Sequence, residues 1–182
     1  MIKIEPKSTI ELKGIIDEDF VNYKVPSMVL LFPYCSFKCG KDICQNALMD
    51  QAIPLTISID DIYKRYVNNK IVRAVVLQGL EPMDSWDELC SLLFHFRVHK
   101  SCFDPFVIYT GYTKDEIKDK ICYLKRMYSN IIVKYGRFIP DNKPHFDNVL
   151  GVKLASDNQY AEQLDDEYEC CEDEDYSDEE FE

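Results

Sequence analysis

Cys35, Cys39 and Cys44 place three thiols within ten residues, in the run Cys-Ser-Phe-Lys-Cys-Gly-Lys-Asp-Ile-Cys. Three thiolates on one short loop can hold a metal ion or an iron–sulfur cluster. The number matters: a cube of four irons held by three cysteines keeps one iron without a protein ligand, and that corner can bind a small molecule. The competing chemistry is a zinc loop completed by a distant fourth ligand, with Cys90, Cys102 and His99 the candidates. The spacing alone does not choose between the two.

The elements that must position these thiols follow a repeated strand–loop–helix pattern. Ser27–Phe32 reads as a strand apolar on both faces, ended by Pro33, and the cysteine loop follows at once. Ser58-Ile59-Asp60-Asp61 has capping-box spacing and opens a helix to about Asn68, with Ile59, Ile62, Tyr63 and Tyr66 on one face. Ile71–Leu77 is a second buried strand and runs into Gln78-Gly79-Leu80-Glu81-Pro82. Asp84 or Ser85 caps a helix to about His99, with Trp86, Leu89, Leu92, Leu93 and Phe96 inward. Phe106–Tyr109 is a third strand, Thr113 caps the next helix, and Ile131–Tyr135 is a fourth strand ending in Gly136-Arg137-Phe138. The entry segment holds short extended pieces at Ile2–Ile4 and Ile10–Ile15, Asn148–Leu154 reads as an edge strand, and Ser156–Gln159 as a turn.

This alternation predicts an α/β fold with a mostly parallel sheet. Every unusual polar or glycine cluster comes just after a strand. In parallel α/β folds those loops share one face, so the cysteines, Glu81 and Thr110 are expected to converge.

Composition sets outer limits. A chain of 182 residues with 46% hydrophobic content suits one domain with a real core, taken as residues 1–164. No apolar run has membrane-spanning length and the N-terminus has no secretory h-region, so no membrane and a cytoplasmic location are expected. Clustered cysteines then point to ligation in a reducing compartment rather than to disulfides. Of the 33 acidic residues, 12 fall between Asp165 and Glu182, where there is no Lys or Arg; the other 21 balance the 21 Lys and Arg. The neutral body gives no footprint for nucleic acid. Residues 165–182, including Cys170 and Cys171, read as a disordered acidic tail, with docking to a basic partner one hypothesis for its charge.

Several motifs come in one order: Val21-Asn22-Tyr23, the cysteine loop closing with Asn46, Gly79-Leu80-Glu81-Pro82, Tyr109-Thr110-Gly111-Tyr112, Gly136-Arg137-Phe138 and Ser156-x-Asn158-Gln159. Over about residues 13–160 the chain resembles the activating proteins of anaerobic (class III) ribonucleotide reductases, small members of the radical S-adenosylmethionine (SAM) superfamily. It departs from the superfamily pattern twice. The cysteines are spaced C-x3-C-x4-C rather than C-x3-C-x2-C, a lengthening that Gly40 can absorb by bending, and Leu80 stands where a second glycine is usual. A positive φ at position 80 would strain that leucine.

The resemblance implies a partial, open β/α barrel. It implies that Cys35, Cys39 and Cys44 hold a [4Fe–4S] cluster whose fourth iron is chelated by SAM. Glu81, with the Gln78, Gly79 and Leu80 turn, would hold the methionine ammonium. Thr110 and Gly111 would lie near the ribose or sulfonium, and Ser156 and Asn158 would hold SAM or shape its pocket. One-electron cleavage of SAM would give a 5′-deoxyadenosyl radical that abstracts hydrogen from a glycine of the reductase large subunit, with flavodoxin or ferredoxin as electron donor. Alternatives within reach of the sequence are a divergent radical SAM enzyme acting on another peptide or small molecule, or a non-enzymatic zinc-binding interaction module. Glu81 also has the plainer reading of a helix N-terminal carboxylate. Tyr109 and Tyr112 read as packing residues, Arg137 as either a functional residue or a partner for a surface carboxylate, His95, His99 and His145 as structural, and Cys90 and Cys122 as core cysteines.

Overall fold

A computed structural model describes residues 6–164. In chain order its elements are β1 (Thr9–Leu12), β2 (Gly14–Asp19), β3 (Ser27–Phe32), β4 (Leu55–Ser58), α1 (Ile59–Asn68), β5 (Ala74–Gly79), α2 (Trp86–Phe94), β6 (Phe106–Tyr109), α3 (Lys118–Met127), β7 (Ile131–Tyr135), β8 (His145–Asp147), β9 (Val152–Leu154) and β10 (Tyr160–Leu164). Six strands form the central sheet in the order β10-β7-β6-β5-β3-β2. The inner four are parallel and the two edges antiparallel. The fold is therefore mixed α/β with a mostly parallel central sheet. Among the described residues no helix is long and apolar enough to cross a membrane.

The period-two alternation of the inner strands explains their apolar character on both faces. One face, carrying Leu30, Leu77, Ile108 and Val133, packs against α1, α2 and α3. These helices have only 10, 9 and 10 residues. Isolated helices below about 12–15 residues are marginal in water, so their buried apolar faces hold them in place. Among the described residues, the opposite face, carrying Val29, Val76, Val107 and Ile132, packs against no helix. Tyr23 and the residues Leu150 and Leu154 around the β8–β9 hairpin cover it. That cover stops short of the C-terminal ends of the strands, and the opening is the cavity described below.

Several expectations need correction. The second strand begins at Ala74 rather than Ile71, because its partner β3 offers a ladder only from Ser27, and it continues to Gly79 opposite Phe32. Ile10–Ile15 is not one piece: Lys13 separates β1, which pairs with β4, from β2 in the main sheet. Asn148–Leu154 is not the edge strand. Gly151, at φ 71°, donates its N–H to the Asp147 carbonyl and turns the chain into the β8–β9 hairpin, and β10 takes the edge beside β7. The helix expected to reach His99 widens into a π turn over His95–His99, where the Arg97 guanidinium is drawn onto the carbonyls of Cys102 and Asp104. Ser58 makes no side-chain cap; it belongs to β4, and the Ile59 amide bonds the Ser8 carbonyl instead. Thr113 does form a reciprocal box with Glu116, at 2.9 Å and 3.4 Å, ahead of a short 3-10 turn that leads into α3. Ile2–Ile4 and the acidic tail with Cys170 and Cys171 lie outside the described residues.

Candidate functional site

The last residues of the inner strands and the loops after them enclose a cavity of about 420 Å³. Small-molecule sites have volumes of about 300–1,000 Å³. Cys35, Cys39, Cys44, Gln78, Gly79, Leu80, Glu81, Thr110 and Gly111 all line it, so the expected convergence is present.

The cysteine loop is shaped by its own backbone and by two outside ties. Gly40, at φ 87°, donates its N–H to the Phe37 carbonyl at 2.9 Å, and the Cys44 amide bonds the Lys41 carbonyl. The interval from Cys39 to Cys44 is thus folded into turns. Phe37 itself sits at φ 51°, a left-handed conformation that costs a non-glycine residue about 1–2 kcal/mol. Asn46 Nδ2 donates to the Gly79 carbonyl at 2.9 Å, and the Ser36 amide donates to Asp84 Oδ2 at 2.6 Å.

Among the described residues no three Cys, His, Asp or Glu side chains stand as a ready-made metal-ligating group. The donor set nonetheless fits a thiolate-bound cluster in type and placement. All three cysteines are free, partly buried and on the wall of one cavity, with the Cys39 and Cys44 thiols close neighbours. Burial first, then the charges of Glu81 and Asp84, push the Cys35 thiol up to about 11. The thiol protons must leave when a metal binds, so uptake is favoured at higher pH. The three residues named for zinc completion do not line the cavity. Cys90 is in the α2 core, while His99 and Cys102 precede β6, at the opposite end of the sheet from the cysteine loop.

The expected strain at Leu80 is absent. Leu80 is not among the residues with positive φ; that conformation falls on Gly79, at φ 111°. Glu81 is 5% exposed and fixed through both oxygens: Oε1 accepts from the Met83 amide at 3.1 Å and Oε2 from the Gly111 amide at 2.8 Å. The first contact is the helix-end capping role, and the second ties Glu81 to the loop after β6. Each carboxylate oxygen keeps a lone pair for a ligand. Thr110 lines the cavity beside Glu81, and its hydroxyl accepts from the Tyr112 amide at 3.1 Å.

Burial pushes the Glu81 carboxyl up to about 7 from the ordinary 4.5, against the pull of its hydrogen-bond donors. The folded chain therefore binds a proton between pH 4.5 and 7 that the unfolded chain has released. Stability from this group falls as pH rises through that window, by about 3 kcal/mol, and is flat above it. In urea titrations of iron-free protein, Glu81→Gln should show a shallower decline than wild type between pH 5 and 7.5. Parallel pH profiles would contradict this assignment.

Lys134 was missed by sequence reasoning, although a lysine within the apolar run Ile-Ile-Val-Lys-Tyr is itself a signal. It is 7% exposed, on the face of β7 that carries Ile132, and lines the cavity opposite Tyr109 in the β6–β7 register. Its Nζ donates to the Gly136 carbonyl at 2.8 Å, and burial draws the ammonium down to about 8 against the charge of Glu81. Gln159 lines the cavity, whereas Ser156 and Asn158 do not. Ser156 Oγ bonds both the amide and the carbonyl of Ile139, and Asn158 Nδ2 donates to the Arg137 carbonyl at 3.0 Å. Gly136, at φ 96°, packs so closely on this turn that a Cβ would lie 2.8 Å from the Asn158 carbonyl oxygen. The Ser-x-Asn-Gln turn thus braces the wall from behind.

Tyr109 and Tyr112 do more than pack. Their hydroxyls donate to the Asn22 carbonyl and to Asp84 Oδ1, at 2.5 and 2.6 Å. Arg137 pairs with Glu116 at 2.7 Å while lining the cavity. Cys90 and Cys122 are buried core residues. No protein-family model, curated protein or solved structure matched this chain in comparisons with known proteins.

Proposed function

We propose that this chain is a SAM-dependent iron–sulfur activase on an open β/α barrel of the radical SAM type, and that it acts in the cytoplasm on the glycine of an anaerobic ribonucleotide reductase large subunit. One observation carries the reading: three free cysteines, a buried carboxylate and two glycine turns from separate strand ends line a single cavity. When bound, the cluster and SAM supply a one-electron cleavage that produces a hydrogen-abstracting radical, with the electron drawn from a donor such as flavodoxin or ferredoxin.

The chain's own residues supply binding and orientation. Cys35, Cys39 and Cys44 hold the cluster as thiolates. Glu81, oriented by the amides of Gly111 and Met83, would accept a charge-assisted hydrogen bond from the methionine ammonium. Gln78, Gly79 and Leu80 shape the turn beside it.

The test is anaerobic reconstitution with iron and sulfide. The expected product is a brown protein that forms 5′-deoxyadenosine from SAM under strong reductant, and that leaves a glycyl radical signal on a candidate reductase. A colourless zinc protein would favour an interaction module instead. Cleavage of SAM without reductase activation would move the reading to a radical SAM enzyme with another substrate.

A further inference from the structure

We infer that Asp84 is a positioning residue that seats the cysteine loop against the rest of the site. The inference rests on the activase reading for what the loop holds, but the tie itself is a matter of geometry. Asp84 closes the short 3-10 turn Pro82–Asp84, three residues after Glu81, next to the start of α2. A carboxylate there is well placed to serve the helix end. Instead, both of its oxygens face other loops. Oδ2 accepts from the Ser36 amide at 2.6 Å, and Oδ1 accepts from the Tyr112 hydroxyl at 2.6 Å. Ser36 Oγ and the Tyr112 hydroxyl are themselves 3.1 Å apart, which closes a triangle. The loops after β3, β5 and β6 meet at this one side chain.

Two features separate this tie from ordinary fold-holding. Ser36 is exposed, so its amide would be satisfied by water without Asp84; the bond orders the loop rather than rescuing a buried donor. Ser36 also directly follows Cys35, so fixing its amide fixes where the first sulfur enters the cavity. Groups of this kind set the occupancy of a metal site, and a negative charge beside a cluster lowers its reduction potential.

The full-length chain with Asp84→Ala, Asp84→Asn and Tyr112→Phe tests this through hydrogen exchange and redox titration. Asparagine keeps an acceptor for Ser36 and turns its amide toward the Tyr112 oxygen, so it preserves the triangle and removes the charge. In iron-free protein, Asp84→Ala should speed exchange at the Ser36 amide about 10-fold or more while β5 exchange is unchanged. After reconstitution, Asp84→Ala should hold less iron. Asp84→Asn should hold the wild-type amount with a less negative midpoint potential by EPR-monitored titration. Tyr112→Phe should loosen Ser36 to a lesser degree. Unaltered Ser36 exchange in Asp84→Ala, or an unshifted potential in Asp84→Asn, overturns the assignment. Wild-type protein that takes up no iron overturns the activase reading, and the Ser36 exchange then decides the positioning role by itself.

Discussion

Serine in place of Cys35, Cys39 or Cys44, one at a time, is expected to abolish retained iron and to lower 5′-deoxyadenosine formation by at least about 100-fold, with the fold intact. A hydroxyl does not replace a thiolate as a cluster ligand at neutral pH, and a cube with only two protein ligands is not held. None of the three belongs to either hydrophobic core cluster, so the exchange of sulfur for oxygen removes little buried apolar contact. Cys90 and Cys122 provide the opposite pattern. Both are buried in helices packed on the sheet, and Cys90 is part of the main core. Their serine variants should keep iron and lose about 1–3 kcal/mol of stability through a buried hydroxyl. The measurement is iron and sulfide per chain beside urea denaturation for all five variants. Full iron content in the three loop variants would end the cluster assignment.

The parts of the fold that were legible are those where local chemistry and tertiary structure agree. The ends of β3, β6 and β7 are legible because Pro33, the pair Thr110-Gly111 and Gly136 follow them, and because inner parallel strands are apolar on both faces. The convergence of Cys35, Glu81 and Thr110 followed from strand order alone. The rest depended on partners distant in sequence. β10 has a mixed burial pattern and is a strand only because β7 leaves an edge for it. Ser156 and Asn158 sit in a correctly read turn, yet their direction depends on Ile139 and Arg137, which lie 17 and 21 residues away. Asp84 reads locally as a helix cap, and its two true partners lie 48 and 28 residues away.

Alanine at Gly79 is expected to be the most damaging single-methyl change in the chain. Gly79 is the last residue of β5, opposite Phe32 in the parallel ladder, and its φ of 111° is one that side-chain-bearing residues rarely adopt. A Cβ there would lie 2.7 Å from the Phe32 nitrogen and 3.0 Å from the Leu31 carbonyl carbon and Cα. These are backbone atoms of β3, and β3 is held on its other side by β2, so no side chain can swing aside to make room. Conformational strain costs about 1–3 kcal/mol, and the backbone clash adds to it, so a loss of roughly 3 kcal/mol or more is expected in urea denaturation. The damage should extend to the site. The Gly79 carbonyl receives Asn46 from the cysteine loop, and the next two amides, of Leu80 and Glu81, bond the carbonyls of Phe32 and Tyr34. Reconstituted Gly79→Ala should therefore hold less iron even at temperatures where it stays folded. Leu80→Gly, one position along, should cost no more than about 1 kcal/mol, since Leu80 has no positive φ to relieve. If Gly79→Ala proves as stable as wild type while Leu80→Gly alters the site, the strained position has been misplaced by one residue, and with it the turn that aims Glu81.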